Sequence, residues 1–194
     1  MNLLIFAVSL VLFYVLHSVL ASNNVKTFLQ NKFISKRFYR LGFNLFALLN
    51  LFLVFFFFRK INSPFLFKIE GLQLFGGVLV VVGILLLIAA LLQYNLREFT
   101  GLQQLKNKST TTINELKTSG LNSYVRHPLY FATLCLLWGY FLYHPTYLIL
   151  VTAIISTIYI YVGTKLEEQK LIEDFGEAYK IYQKKVKMLV PYIF

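Results

Sequence analysis

The sequence predicts an all-α fold: a polytopic membrane bundle of five transmembrane helices, the last two forming a helical hairpin, with a cytoplasmic C-terminal amphipathic helix. Three observations point there. The 194-residue chain is 58% hydrophobic with a mean hydropathy of +0.65, against about 45–50% apolar residues in soluble domains. Its apolar residues gather into five runs. Its cations lie between those runs, as loops facing an anionic leaflet require. The net charge of +11 therefore speaks for a lipid surface and against nucleic acid, which needs a basic face on a soluble domain.

The runs follow in order. Leu3–Leu20 is interrupted only by Ser9, Tyr14, His17 and Ser18, and at ~1.5 Å per residue it nearly spans a ~30 Å hydrocarbon core. No Lys or Arg precedes it, so it reads as a retained anchor and not as a cleaved signal. Leu41–Phe58 is the second run and Leu72–Leu92 the third. Gly76, Gly77 and Gly83 in the third suit close helix packing. Leu129–Tyr143 and Tyr147–Val162 are the fourth and fifth. His144-Pro145 between them breaks the helix and makes a tight hairpin. From Lys165, the residues Leu171, Phe175, Tyr179, Tyr182 and Val186 recur every three or four positions, the mark of an amphipathic helix with a break at Gly176 and an end at Pro191. The single cysteine, Cys135, excludes an internal disulfide and any Cys-based metal cluster and reads as a small core residue.

Five spans put the 22–40 loop, the 93–127 segment and the tail on one side, and that side holds sixteen of the nineteen Lys and Arg residues. Arg59, Lys60 and Lys68 lie opposite. The positive-inside rule then sets the N-terminus outside and the tail in the cytoplasm. The chain reads as one membrane domain over 1–194, with 1–92 a three-helix anchor and 93–194 the cofactor-binding part.

Two polar clusters fall on that cytoplasmic border. Tyr124-Val125-Arg126-His127-Pro128-Leu129-Tyr130 enters the fourth run, and Glu167-Glu168 leaves the fifth. A short hairpin brings its ends together, so the cationic and aromatic cluster meets the carboxylate pair. Each cluster taken alone suits an interfacial anchor or a helix dipole; together they suit a ligand. Arginine and histidine fit a carboxylate or phosphate, paired glutamates an ammonium or ribose hydroxyls, and tyrosine rings a cation. S-adenosylmethionine carries a matching set, and so does a phospholipid headgroup.

At these residues a family resemblance emerges. Gly120, Tyr124-Val125-Arg126-His127-Pro128-x-Tyr130, Glu167-Glu168-x-x-Leu171, Phe175-Gly176-x-x-Tyr179-x-x-Tyr182, Val186 and Pro191 together resemble the integral-membrane methyltransferases, which include the isoprenylcysteine carboxyl and phospholipid amine methyltransferases. His17-Ser18-Val19-Leu20-Ala21-Ser22 with Val25-Lys26, Tyr39-Arg40-Leu41 with Asn44, and Phe99-x-Gly101-Leu102-x-Gln104 resemble the methanethiol S-methyltransferase and NnrU branch. Prenylcysteine-type enzymes often carry an arginine just before the glutamate pair. Here Val162-Gly163-Thr164-Lys165-Leu166 has only Lys165, which favours the thiol branch.

The resemblance implies S-adenosylmethionine as methyl donor, with Arg126, His127, Pro128 and Tyr130 lining its methionine and sulfonium end, Tyr124 nearby, and Glu167 and Glu168 holding the ammonium or ribose. It implies methylation of a small thiol such as methanethiol, with isoprenylcysteine or phospholipid as the alternative acceptor. Arg126 is the candidate for stabilising a thiolate or the cofactor carboxylate, and His127 is a general base or a hydrogen-bonding fixture. No bound metal, nucleic acid or obligate protein partner is expected; the partners are membrane lipid and a small or lipophilic acceptor. The setting is a bacterial inner membrane. His17 reads as a packing residue bonded to Ser18 or Asn44. The NnrU resemblance adds another class, a haem-binding isomerase with His17 and His127 as ligands, and a non-catalytic membrane protein is the remaining alternative.

Overall fold

The computed structural model describes residues 2–93 and 116–194, apart from the side chain of Lys36. The expectations placed on Phe99, Gly101, Leu102 and Gln104, and on Arg97, Lys106 and Lys108, lie outside them. Among the described residues there are seven α-helices: α1 Leu3–Ala21, α2 Asn23–Lys32, α3 Lys36–Arg59, α4 Glu70–Leu92, α5 Pro128–Tyr143, α6 Tyr147–Phe175 and α7 Glu177–Lys185, with a 3₁₀ turn at Gly120–Ser123. Four of them, α1, α3, α4 and α6, are long and apolar enough to cross a membrane, and α5 is a shorter apolar helix. Their middle stretches expose large apolar side chains: Leu45 is 69% exposed and Leu74 is 74% exposed. Patches of that kind are rare on soluble monomers and are stable against acyl chains. The chain is an integral, multi-pass membrane protein.

The helices form two compact units, one comprising the described residues up to Ser63 and the other Pro64–Gln93 with the described residues from Leu116 onward. In the first unit α1 and α3 run antiparallel. The Phe6 and Phe58 rings meet edge to face at 5.8 Å, and at the other end the Tyr39 hydroxyl donates to the Leu20 carbonyl at 2.5 Å. Residues 22–40 are not a plain loop as their polarity suggests, because α2 occupies Asn23–Lys32. Its ten residues contain no breaker, and Phe28 and Leu29 give it an apolar side among lysines.

In the second unit α4 packs antiparallel on α5 through glycines. A methyl group at Gly76 would sit 2.7 Å from the Gly139 carbonyl oxygen and against the Tyr143 backbone nitrogen; at Gly83 it would meet Leu136 at 2.9 Å. Such contact between backbones is open only to glycine. Gly76→Ala is therefore expected to lower the melting temperature in detergent, with an overpacking cost of about 1–3 kcal/mol. Gly77→Ala, whose methyl meets the Tyr143 ring at 3.6 Å, should melt at or above the parent. Equal behaviour of the two variants would remove the glycine seam from the account.

The hairpin of α5 and α6 turns at His144–Thr146, and the Trp138 indole donates to Thr157 Oγ1 at 3.0 Å across it. Phe65 bridges to Thr146, and the Leu66 amide donates to the Pro145 carbonyl at 2.8 Å, so the segment before α4 covers the turn. Cys135 is buried in this packing. The fifth apolar run does not end its helix at Val162. The same helix continues to Phe175, because Lys165–Asp174 is rich in strong helix formers and contains no breaker. Gly176, at φ +57, makes the expected break in a conformation that glycine adopts at little cost. The tail helix stops at Lys185 rather than at Pro191; the chain is extended at Val186 and ends in a turn in which the Ile193 and Phe194 amides donate to the Val190 carbonyl.

Candidate functional site

Pro128 starts α5 at its first turn, where its fixed φ is already helical and its missing N–H is no loss. The residue before a proline is biased toward extended backbone, and His127 sits at φ −122, ψ 70. This keeps Arg126 and His127 off the helix, with amides that need partners. The extended tail supplies them: Arg126 N–H donates to the Lys187 carbonyl at 2.8 Å and His127 N–H to the Met188 carbonyl at 3.2 Å. Val125 and Lys187 form a parallel bridge. Met188 and Leu189 then bury against Ile160, with Tyr130 and Leu134 packed around them. The tail is a strap across the open end of the hairpin.

Glu168 is the centre of what the strap closes over. It is 5% exposed. Its Oε1 accepts from Arg126 Nε and Nη2, each at 2.6 Å. His127 Nε2 lies 3.3 Å from the same oxygen, and the Tyr179 hydroxyl donates to it at 3.3 Å. Gln183 Nε2 donates to Oε2 at 3.2 Å. Arg126 Nη1 also donates to the Gln183 carbonyl at 3.1 Å and to the Val186 carbonyl. A buried carboxylate is tolerable only with partners of this kind. Burial and the carboxylate of Glu168 push the Tyr179 phenol well above its ordinary value, so it remains a donor across the physiological range.

Glu167, one residue earlier, has a different environment. Its side chain is 45% exposed. The Tyr130 hydroxyl donates to its Oε2 at 2.8 Å, and His127 Nδ1 lies 3.8 Å from the same oxygen. The rings of His127 and Tyr130 stack at 5.6 Å with 18° between planes. His127 thus stands between the two glutamates, one nitrogen toward each.

Arg126, His127, Tyr130, Glu167 and Glu168 come together from the two ends of the hairpin. Pro128 is buried under them as the helix start. Tyr124 is 56% exposed beside the strap, outside the bonded network just described. Two contributors, Tyr179 and Gln183, escaped the sequence-level site. Tyr179 was visible as part of the three-to-four periodicity of the tail, and Tyr182 with it; the Tyr182 hydroxyl donates to the Asn122 carbonyl at 2.5 Å. Both tyrosines are buried, Tyr179 against Glu168 and Tyr182 against the 3₁₀ turn. Nothing in the sequence marked Gln183 or the strap carbonyls.

A family model described as a protein of unknown function, DUF1295, matches residues 5–186. Methanethiol S-methyltransferase 1 of Bradyrhizobium diazoefficiens is 34% identical over 98% of this chain and 66% of its own length. Methanethiol S-methyltransferases of Crocosphaera subtropica and of Pseudomonas sp. strain GM41(2012) are each 32% identical, over 94% and 97% of this chain and 72% and 73% of their own lengths. The chain thus spans about two thirds of the length of these relatives. No solved structure matches it. It is a membrane protein homologous to methanethiol S-methyltransferases over nearly its full length, and it belongs to the DUF1295 family.

Proposed function

We propose that this protein is an integral-membrane methyltransferase that uses S-adenosylmethionine to methylate the sulfur of a small thiol of the methanethiol class. One observation carries the reading most directly. Glu167, half exposed and braced by the Tyr130 hydroxyl, stands on a wall that the buried Arg126–Glu168 pair makes rigid. The names of the relatives over nearly the whole chain support the acceptor class.

The donor set suits such a cofactor. Glu167 holds its ammonium or ribose hydroxyls, with Tyr130 fixing the carboxylate. Tyr130 and His127 offer aromatic faces suited to a cation, and Tyr124 borders them. Pro128 fixes the backbone from which His127 and Tyr130 project. Glu168 and Arg126 act chiefly on each other and on the strap, as positioning groups. S-adenosylmethionine, when bound, supplies a methyl group on a sulfonium, open to in-line displacement. The leaving group is good, so the protein's task is to orient the reactants and exclude water. A thiol reacts as its thiolate. His127, buried between Glu168 and Glu167, serves as a hydrogen-bonding fixture of that wall, and the thiol would enter as thiolate, its proton left to water, before taking the methyl group.

The same reading makes 1–194 one methyltransferase-like domain, with 93–194 supplying the cofactor wall and 1–92 the anchor. Within that anchor, α4 buttresses α5. In this reading α5 is the fourth of the five spans. Its 16 residues cover only about 24 Å, and Arg126–His127 and His144–Thr146 complete the crossing at headgroup depth. The N-terminus lies outside and the tail, with α7, in the cytoplasm, by the sixteen-to-three distribution of cations. The bacterial sources of the relatives support an inner membrane. A haem reading draws no support from His127, whose ring nitrogens face Glu168 and Glu167.

The test is methyl transfer from labelled S-adenosylmethionine by purified protein to methanethiol, a prenylcysteine and a phospholipid. Label in dimethyl sulfide is expected. Label only in prenylcysteine or phospholipid would move the acceptor assignment, and no cofactor binding with no transfer would overturn the reading.

A further inference from the structure

The segment that leads into Arg126 and His127 is built from one 3₁₀ turn, Gly120–Ser123, and its own bonds are local. Ser123 Oγ donates to the Gly120 carbonyl at 2.7 Å. The Tyr124 and Val125 amides both donate to the Leu121 carbonyl. Bonds of this reach shape a turn but do not place it in the molecule. At its start the segment rests on the end of α4. Lys117 Nζ donates to the Gln93 carbonyl at 3.2 Å, and a methyl group on Gly120 would come 3.0 Å from the Gln93 side-chain nitrogen.

From there on the tail holds it in three successive steps. The buried Tyr182 donates its hydroxyl to the Asn122 carbonyl at 2.5 Å. The Lys187 carbonyl then takes the Arg126 amide, and the Met188 carbonyl takes the His127 amide. The last two steps are main-chain bonds, open to almost any side chain at those positions. The first depends on a hydroxyl. Tyr179 and Tyr182 lie one turn apart on α7, where side chains share a face, and their rings meet edge to face at 5.8 Å. They divide the work: Tyr179 donates to the Glu168 carboxylate, and Tyr182 to the backbone of the entry segment. Phenylalanine would fill the same space at Tyr182, so packing does not account for the hydroxyl. A buried carbonyl, by contrast, needs a donor.

We infer that Tyr182 is a positioning residue for the cofactor wall: by holding Asn122 it seats Tyr124, Arg126 and His127 against the strap and the two glutamates. The inference rests on the methyl-transfer reading for what the wall binds. Tyr182 acts through the entry segment and not on the cofactor itself. The cofactor binds the seated segment, so a segment that unseats more often binds it with a dissociation constant raised in proportion. Bound cofactor in turn keeps the segment seated, so the rate at saturation is unaffected.

The experiment compares the parent with Tyr182→Phe, which keeps the ring and its contact with Tyr179. Hydrogen exchange is followed in peptides covering Asn122–His127 and, as a reference, α5. In the variant, exchange of the entry segment should speed up at least about fivefold while α5 keeps the parent rate, the mark of a local opening. The dissociation constant for S-adenosylmethionine should rise about threefold or more. The kcat at saturating cofactor and the KM for the thiol should match the parent, and saturating cofactor should erase the difference in exchange. A parent that binds no S-adenosylmethionine overturns the methyl-transfer reading and this inference with it. A parent that binds it, with a variant equal to it in exchange or in dissociation constant, overturns this inference alone. So does a variant that loses melting temperature and kcat together at an unchanged dissociation constant, since that is the behaviour of a purely structural tyrosine.

Discussion

Glu168→Gln is expected to cost about 3–5 kcal/mol of stability, the penalty for breaking a buried ion pair on one side. The pair qualifies, because the Arg126 and Glu168 side chains are 9% and 6% exposed. Glutamine keeps the shape and some of the hydrogen bonds, but it leaves the Arg126 guanidinium buried without a counter-charge. At about 2–4 °C per kcal/mol for a domain of this size, the melting temperature in detergent should fall by at least about 6 °C. Cofactor binding should weaken as well, since His127 and the strap lose the group that holds them. Replacing both partners tests whether charge imbalance is the cause. Arg126→Met combined with Glu168→Leu should recover part of the stability, because a well-packed apolar pair often equals a buried ion pair. The recovery stays incomplete because the Gln183 and Val186 carbonyls lose the donor that Arg126 provided. A Glu168→Gln variant that melts and binds cofactor like the parent would remove Glu168 from the centre of the site.

The meeting of Arg126 with Glu168 was legible because it follows from coarse features. Two apolar runs, a proline between them and polar residues at both open ends suffice to bring the clusters together. The unequal roles of Glu167 and Glu168 were not legible. Neighbours on a helix point about 100° apart, and which one turns inward is decided by the residues packed against that helix. The strap was hidden for a related reason. The apolar period of the tail continues through Val186, so the pattern reads as helix. What ends the helix at Lys185 is the demand of the Arg126 and His127 amides for acceptors some sixty residues away in sequence. The helix α2 was missed because its polar composition matched a loop between spans. Gly139 was missed because Gly76 and Gly83 announce a seam without naming the helix across it.

Glu167→Gln should give the opposite profile to Glu168→Gln: near-normal stability and much weaker cofactor binding. The side chain is 45% exposed, and exposed substitutions usually stay within about 0.5 kcal/mol. Its charge matters only when a cationic or hydroxyl-bearing ligand is present. A hydrogen bond to a charged group contributes about 1.5–3 kcal/mol, so the dissociation constant for S-adenosylmethionine should rise roughly 10- to 150-fold. The KM for the thiol should move little, since Glu167 is assigned to the cofactor. Tyr130→Phe removes the hydroxyl that braces Glu167 Oε2 at 2.8 Å. On its own it should weaken cofactor binding less than Glu167→Gln does, because the carboxylate and its charge remain and only their brace is lost. If the hydroxyl works through the carboxylate, the double variant should bind no worse than Glu167→Gln alone, a coupling that a double-mutant cycle measures directly. Additive losses would mean that Tyr130 contacts the cofactor by itself. An unchanged dissociation constant in Glu167→Gln would leave the half-exposed carboxylate without the role assigned to it, and would move the cofactor contact to another part of the wall that Glu168 holds in place.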